Sequence, residues 1–155
     1  MDPRLFQATF VDGNIIEFRD NAHDLRRAAN VIWAVDALAA HIYEWAKTHA
    51  PAKIEGKTEK QYRNALADRS QGYKLLRHAA DAMKHAWLGD KKADIKKSSD
   101  VANTSGAFQS NAFAPGYQLG EAVVVLQDKR CYPVDDLITA SMKVLEAEME
   151  TFGVP

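Results

Sequence analysis

The chain has 155 residues, with 20 basic and 21 acidic side chains, five His and a single Cys. That length suits one domain built on one core, and a formal charge of −1 gives no concentrated positive surface for nucleic acid or an acidic membrane. One cysteine, Cys131, excludes an internal disulfide, and no Cys/His pair has zinc-finger spacing.

The opening Met1-Asp2-Pro3-Arg4 lacks the basic, apolar and small-residue order of a signal peptide. The most apolar stretch, 31–43, is interrupted by Asp36 and His41 and falls short of the roughly 18 residues of a spanning helix. A cytoplasmic protein with a reduced thiol and no membrane attachment is the expectation.

Residues 5–20 admit two readings. Phe6, Phe10 and Gly13 step along a helix and Phe18 returns to the same side, whereas Asp12-Gly13 between two apolar runs is a hairpin signal. The aromatic spacing favours the helix. From Asn21 to Thr48 the pattern is stronger: Leu25, Ala28, Ile32, Val35, Ala39, Ile42 and Ala46 alternate steps of three and four. Val31, Ala34, Leu38 and Trp45 form a second stripe, and Trp33, Ala40 and Tyr43 carry the apolar surface further round. Such a helix is expected to be central and enclosed on most of its circumference.

Thr58-Glu59-Lys60-Gln61 reads as a capping box that starts a helix at Glu59. A break at Asp68–Gly72 follows, with Ser70 placed to cap a further helix from Gln71 to Leu88, ended by Gly89. Residues 89–106 read as a polar, Lys-rich loop. Residues 107–114, 121–127 and 130–132 read as strands of a small β insertion spanning 107–132, turned at Asp128-Lys129. Asp135 to Phe152 is a final helix with Asp135 or Asp136 as cap, a core stripe of Ile138, Met142, Leu145, Met149 and Phe152, and Gly153 as its stop. The expected fold is therefore a mainly α single domain over 1–155: a four- to five-helix bundle with a small antiparallel sheet before the C-terminal helix.

Three constellations could carry chemistry, the weakest being the four lysines of 91–97, which could touch phosphate but whose interleaved Asp90, Asp94 and Asp100 mark a solvated loop. Arg77, Asp81 and His85 are spaced by four and share one helix face, with Lys74, His78 and Lys84 at its margins. Arg77, Asp81, Lys84 and His85 are the catalytic candidates if the protein is an enzyme. An imidazole oriented by a carboxylate, beside fixed cations, could move the proton of a ribose hydroxyl and hold a phosphate; the same spacing also describes ordinary surface ion pairs. The second constellation is Asp36 with His41 on the central helix. An enclosed Asp36 needs a partner, and the cations of the Arg77 face are natural ones. Asp36 and His41 point about 140° apart on an ideal helix, which excludes a two-ligand metal site. No phosphate-loop, dinucleotide or nucleophile-elbow motif is present, and neither a cofactor nor a metal is expected. Trp33, Tyr43, Trp45 and Trp87 are the candidates for lining a small-ligand pocket.

The helix ending Asp81-x-x-Lys84-His85, the polar loop, the Val123–Tyr132 hairpin and Val134-Asp135-Asp136 before the last helix resemble a group of small uncharacterised bacterial and phage helical proteins. The resemblance extends to the helix around 24–30. A more distant likeness is to HEPN-type bundles, many of them ribonucleases of toxin and defence systems, whose signature has four to six residues between an Arg and a His on one helix. Here seven residues separate Arg77 from His85, and Arg77 and His78 are adjacent. The leading expectation is a non-enzymatic module that binds a protein partner or itself. RNA cleavage or binding by the Arg77–His85 face is the alternative, and a small-ligand-binding bundle the third.

Overall fold

A computed structural model of the chain describes residues 1–85, 94–104 and 120–155. Among the described residues the helices are α1 (Pro3–Phe6), α2 (Asp12–Asp20), α3 (Leu25–His49), α4 (Pro51–Ile54), α5 (Glu59–Arg69), α6 (Gln71–His85) and α7 (Val134–Phe152). Three short strands, β1 (Val101–Asn103), β2 (Ala122–Val125) and β3 (Cys131–Pro133), form an antiparallel sheet in the order β1-β2-β3. The protein is thus a mainly helical bundle with a small sheet before its last helix.

Residues 5–20 are helical, with one irregularity that matters. Between α1 and α2, Gln7–Val11 make a π turn, in which the Asp12 N–H reaches back five residues to the Gln7 carbonyl. The extra residue shifts the phase of everything after it. The inward positions run Phe6, Val11, Ile15, Phe18, of which Val11 and Phe18 are buried and Phe6 and Ile15 partly buried, and Val11 takes the core place that regular spacing assigns to Phe10. Phe10 itself is turned outward, 44 % exposed. Its carbonyl accepts a hydrogen bond from Asn14 Nδ2 at 2.6 Å.

Helix α3 begins at Leu25, later than the apolar pattern implied, because the Asp24 carboxylate caps it by accepting from the N–H groups of Arg26 and Arg27 at 2.8 and 3.2 Å. Ala28, Val31, Ile32, Val35, Leu38, Ala39, Ile42 and Ala46 are fully buried against α2, α5, α6 and α7. Burial of each larger member contributes about 1.5–3 kcal/mol. Enclosure is less complete than expected, since Trp33 is 40 % exposed and Ala34, Ala37 and Ala40 are half-buried.

The capping box at α5 forms as read: Gln61 N–H donates to Thr58 Oγ1 at 3.2 Å and Thr58 N–H to Gln61 Oε1 at 2.8 Å. Ser70 Oγ caps α6 by accepting from Tyr73 N–H at 3.2 Å. At Gly72, α6 lies so close to α7 that an added Cβ would sit 2.4 Å from Ala140 Cβ. The expected stripe of α7 is buried throughout, and the helix ends at Gly153 in the left-handed conformation (φ +68°), where Val154 N–H returns to the Met149 carbonyl. Neither Asp135 nor Asp136 is the cap. The helix starts one turn-residue earlier, after Pro133, and both acids stand in its first turn, where the helix dipole favours them.

The expected polar loop at 89–106 needs correction over its described part. Ile95 is fully buried, Asp100 is buried and accepts from the N–H groups of Lys96 and Lys97 at 3.0 and 3.1 Å, and Val101–Asn103 is an edge strand paired with β2 (Val101 opposite Val124). Interleaved Lys and Asp hid one apolar anchor and a three-residue strand too short to show a period. The β2–β3 turn falls at Asp128-Lys129 as read, with Lys129 at φ +71°. The strand expected at 107–114 and the end of the helix at 86–89 lie outside the described residues.

Candidate functional site

Asp36 is the polar centre of the bundle. It sits on the α5/α6 side of α3, only 2 % exposed, and its two carboxylate oxygens take different cations: Oδ1 accepts from Arg63 Nη2 of α5, and Oδ2 from Lys84 Nζ of α6 at 3.3 Å. Arg63 is held in turn by Glu59 Oε1 at 3.3 Å and donates through Nε to the Tyr73 hydroxyl at 3.4 Å. Two cations, from α5 and α6, therefore meet on the one carboxylate from α3, and Glu59 and Tyr73 in turn hold Arg63. Burial works against the Arg63 cation, but the Asp36 carboxylate outweighs it and the guanidinium is held more firmly protonated than usual. Burial also pushes the Tyr73 phenol up to about 12, so it stays a neutral hydroxyl in this company.

The expectation that Asp36 pairs with the Arg77 face is thus half met. Lys84 does reach Asp36, while Arg77 turns to Asn64 Oδ1 at 2.8 Å on α5. Asp81 lies 4.0 Å from Lys84 Nζ, and His85 is exposed at the last described turn of α6. The four catalytic candidates share a helix but not a common focus. Arg63, the principal partner, carried no strong signal. Its spacing to Glu59 is that of a surface pair, and only its position beside the Tyr62/Leu66 stripe pointed inward.

His41 does not join Asp36. Its ring stacks on Phe6 of α1 at a centroid distance of 4.0 Å, and burial lowers its pKa. His78, at the margin of the Arg77 face, binds the segment after α6: Asp94 N–H donates to its Nδ1 at 3.3 Å. The Asp94 carboxylate lies 2.7 Å from Lys74 Nζ and 3.6 Å from His78 Nδ1. That acceptor role requires a neutral ring with its proton on Nε2, and burial lowers the His78 pKa accordingly.

A second buried acid was not foreseen. Glu148 of α7, 6 % exposed, accepts from Arg69 Nη2 at 2.6 Å beside a pocket of about 490 Å³ walled by Ile54, Tyr62 and Phe152. Burial, then the Glu148 carboxylate, raises the Tyr62 phenol. The aromatic candidates for a ligand pocket do not gather. Tyr43 is buried and donates to the Lys57 carbonyl at 2.7 Å, Trp45 stacks on His49 at 3.6 Å, Trp33 faces outward, and Trp87 lies outside the described residues.

A further feature among the described residues is largely apolar. Between α2 and α7 runs a groove of about 500 Å³ with Ile15, Ile138 and Met142 along it and Ile16 at its lip, 62 % exposed. Among the described residues, no helix is long and apolar enough to cross a membrane, and no group of three or more His, Cys, Asp or Glu is gathered for a metal ion. No protein-family model, curated protein or solved structure matches the chain.

Proposed function

We propose that this chain is a non-enzymatic, cytoplasmic helical module of bacterial or phage origin that acts through protein contact, its first partner being a second copy of itself. One observation carries the reading. Among the described residues, every large apolar side chain that remains exposed lies within the first 33: Met1, Leu5, Phe10, Ile16, Leu25 and Trp33. Single exposed apolar residues are ordinary; the reading rests on six of them falling within the first 33 residues, whose exposed apolar surface a partner could cover. The π turn contributes directly, since it replaces Phe10 by Val11 in the core and leaves the phenyl ring outside. A near-zero net charge sets up no strong repulsion between copies.

The RNA-cleaving alternative asks Arg77, Asp81, Lys84 and His85 to act on one phosphodiester. Against it, Lys84 is engaged by Asp36 and Arg77 by Asn64. Light scattering on protein eluting from a sizing column, repeated over a hundredfold dilution, tests the preferred reading: a mass above one chain that falls on dilution is expected. RNA cleavage that disappears in folded His85→Ala would favour the alternative instead.

A further inference from the structure

We infer that His78 is a pH-sensitive latch: its neutral ring holds residues 94–97 against α6, and protonation of the ring lets them go. Asp94 ties this segment to α6 by two contacts. Its backbone N–H donates to His78 Nδ1 at 3.3 Å, and its carboxylate lies 2.7 Å from Nζ of Lys74, one turn earlier on the same helix face. Beyond it Ile95 is fully buried, Asp100 accepts from the N–H groups of Lys96 and Lys97, and Val101 begins β1. Residues 94–103 are thus a strap, fixed in the sheet at one end and latched to α6 at the other.

A backbone N–H can only donate, so the latch exists only while Nδ1 keeps its lone pair. A proton on Nδ1 sets two donors face to face. The Asp94 carboxylate is at hand, with Oδ2 3.6 Å from Nδ1, but that oxygen already lies against Lys74. The charges around the ring balance. Asp94 of the strap and Asp81 of α6 favour the imidazolium, while Lys74 and Arg77 of α6 oppose it. Arg130, in the β2–β3 turn, adds a further cation facing Asp94. Burial therefore decides, and the closed strap holds the ring below its ordinary pKa of 6.5. In the open strap the ring reaches water and regains that value. Closure is complete above it, and acid favours opening as the pH falls below it.

The test is amide hydrogen exchange of the full chain at pH 7.5 and pH 5.0, read by mass spectrometry and corrected for the intrinsic pH dependence of exchange. Wild type is compared with His78→Asn, whose amide oxygen stands near the place of Nδ1 and accepts without titrating. Protection of peptides covering 94–97 should fall about three- to tenfold at pH 5.0 in the wild type, the worth of one net hydrogen bond. Peptides of α7 should keep theirs, and His78→Asn should show no change with pH at 94–97. Lys74→Met frees the Asp94 carboxylate to accept from the charged ring, so it should reduce the wild-type fall. Equal wild-type protection at both pH values overturns the latch, as does the same fall in His78→Asn. A loss in α7 that matches the loss at 94–97 also overturns it, because the whole chain is then opening.

Discussion

Replacing Asp36 by Asn removes one charge from the centre of the bundle while keeping the side chain's size and one acceptor oxygen. The Arg63 guanidinium, whose side chain is 15 % exposed, then stays under α3 without its main counter-charge. Removing one partner of a buried pair costs about 3–5 kcal/mol, because the other is left desolvated. Two details place this case at the low end: Glu59 still touches Arg63 at 3.3 Å, and Lys84 is 45 % exposed and can turn to water. A loss of about 3 kcal/mol is expected, equivalent to a fall in Tm of about 6–12 °C for a chain of this size. Urea denaturation followed by far-UV circular dichroism measures it. Asp36→Leu combined with Arg63→Met should recover most of the loss, since apolar replacement of a whole buried pair is often neutral or better, and Lys84→Met alone should lose no more than about 1 kcal/mol. If Asp36→Asn loses less than about 1 kcal/mol, the cluster is no stronger than a surface ion pair and the reasoning fails.

Other consequences are as direct. Gly72→Ala should destabilise by about 1–3 kcal/mol through the Ala140 clash, although alanine in a free helix gains about 1 kcal/mol over glycine; an unchanged urea midpoint would mean that α6 and α7 stand further apart. Deleting Thr9 should convert the π turn to α-helix and leave Tm unchanged or raised, because Phe6 and Val11 then become four apart; deleting Glu17, beyond the turn, swings Phe18 about 100° off the core and should lower Tm steeply. His78 and His41 both have pKa values lowered by burial from 6.5, so the unfolded chain binds more protons in the window just below that value. Stability should therefore be complete above pH 6.5 and fall as the pH drops through the folded values. His78→Gln should flatten that slope in urea titrations, and a wild-type slope of opposite sign would contradict the neutral His78 acceptor.

Local chemistry was legible in the sequence wherever one residue decides a backbone event. Thr58 with Gln61, Ser70, Gly153 and the Asp128-Lys129 turn each mark their place because a hydroxyl, a carboxylate or a left-handed residue is needed there. Long apolar stripes were equally clear, since α3 and α7 repeat their period over five or more turns. What did not show were features without a period. A π turn adds one residue, which makes Phe10 look like core and Val11 look like surface; the pattern reads correctly only once the insertion is known. Strand β1 has three residues, and its neighbours are polar enough to read as a solvated loop. The buried ion pairs were half visible. An aspartate on an apolar helix announces its need for a cation, but which cation answers depends on how α5 and α6 pack, and Arg63 and Arg69 look like any exposed arginine in a short helix. Glu148 stayed hidden for a related reason: it stands beside Met149 on the rim of the α7 stripe, where one residue of helix rotation separates solvent from core.

The most direct test of self-association is sedimentation velocity of the untagged wild-type chain over a wide concentration series at low and moderate salt. The account predicts a reversible shift from one chain to two with rising concentration, only modestly sensitive to salt because exposed apolar side chains of the first 33 residues contribute most of the contact. A single species with the mass of one chain at every concentration would contradict it.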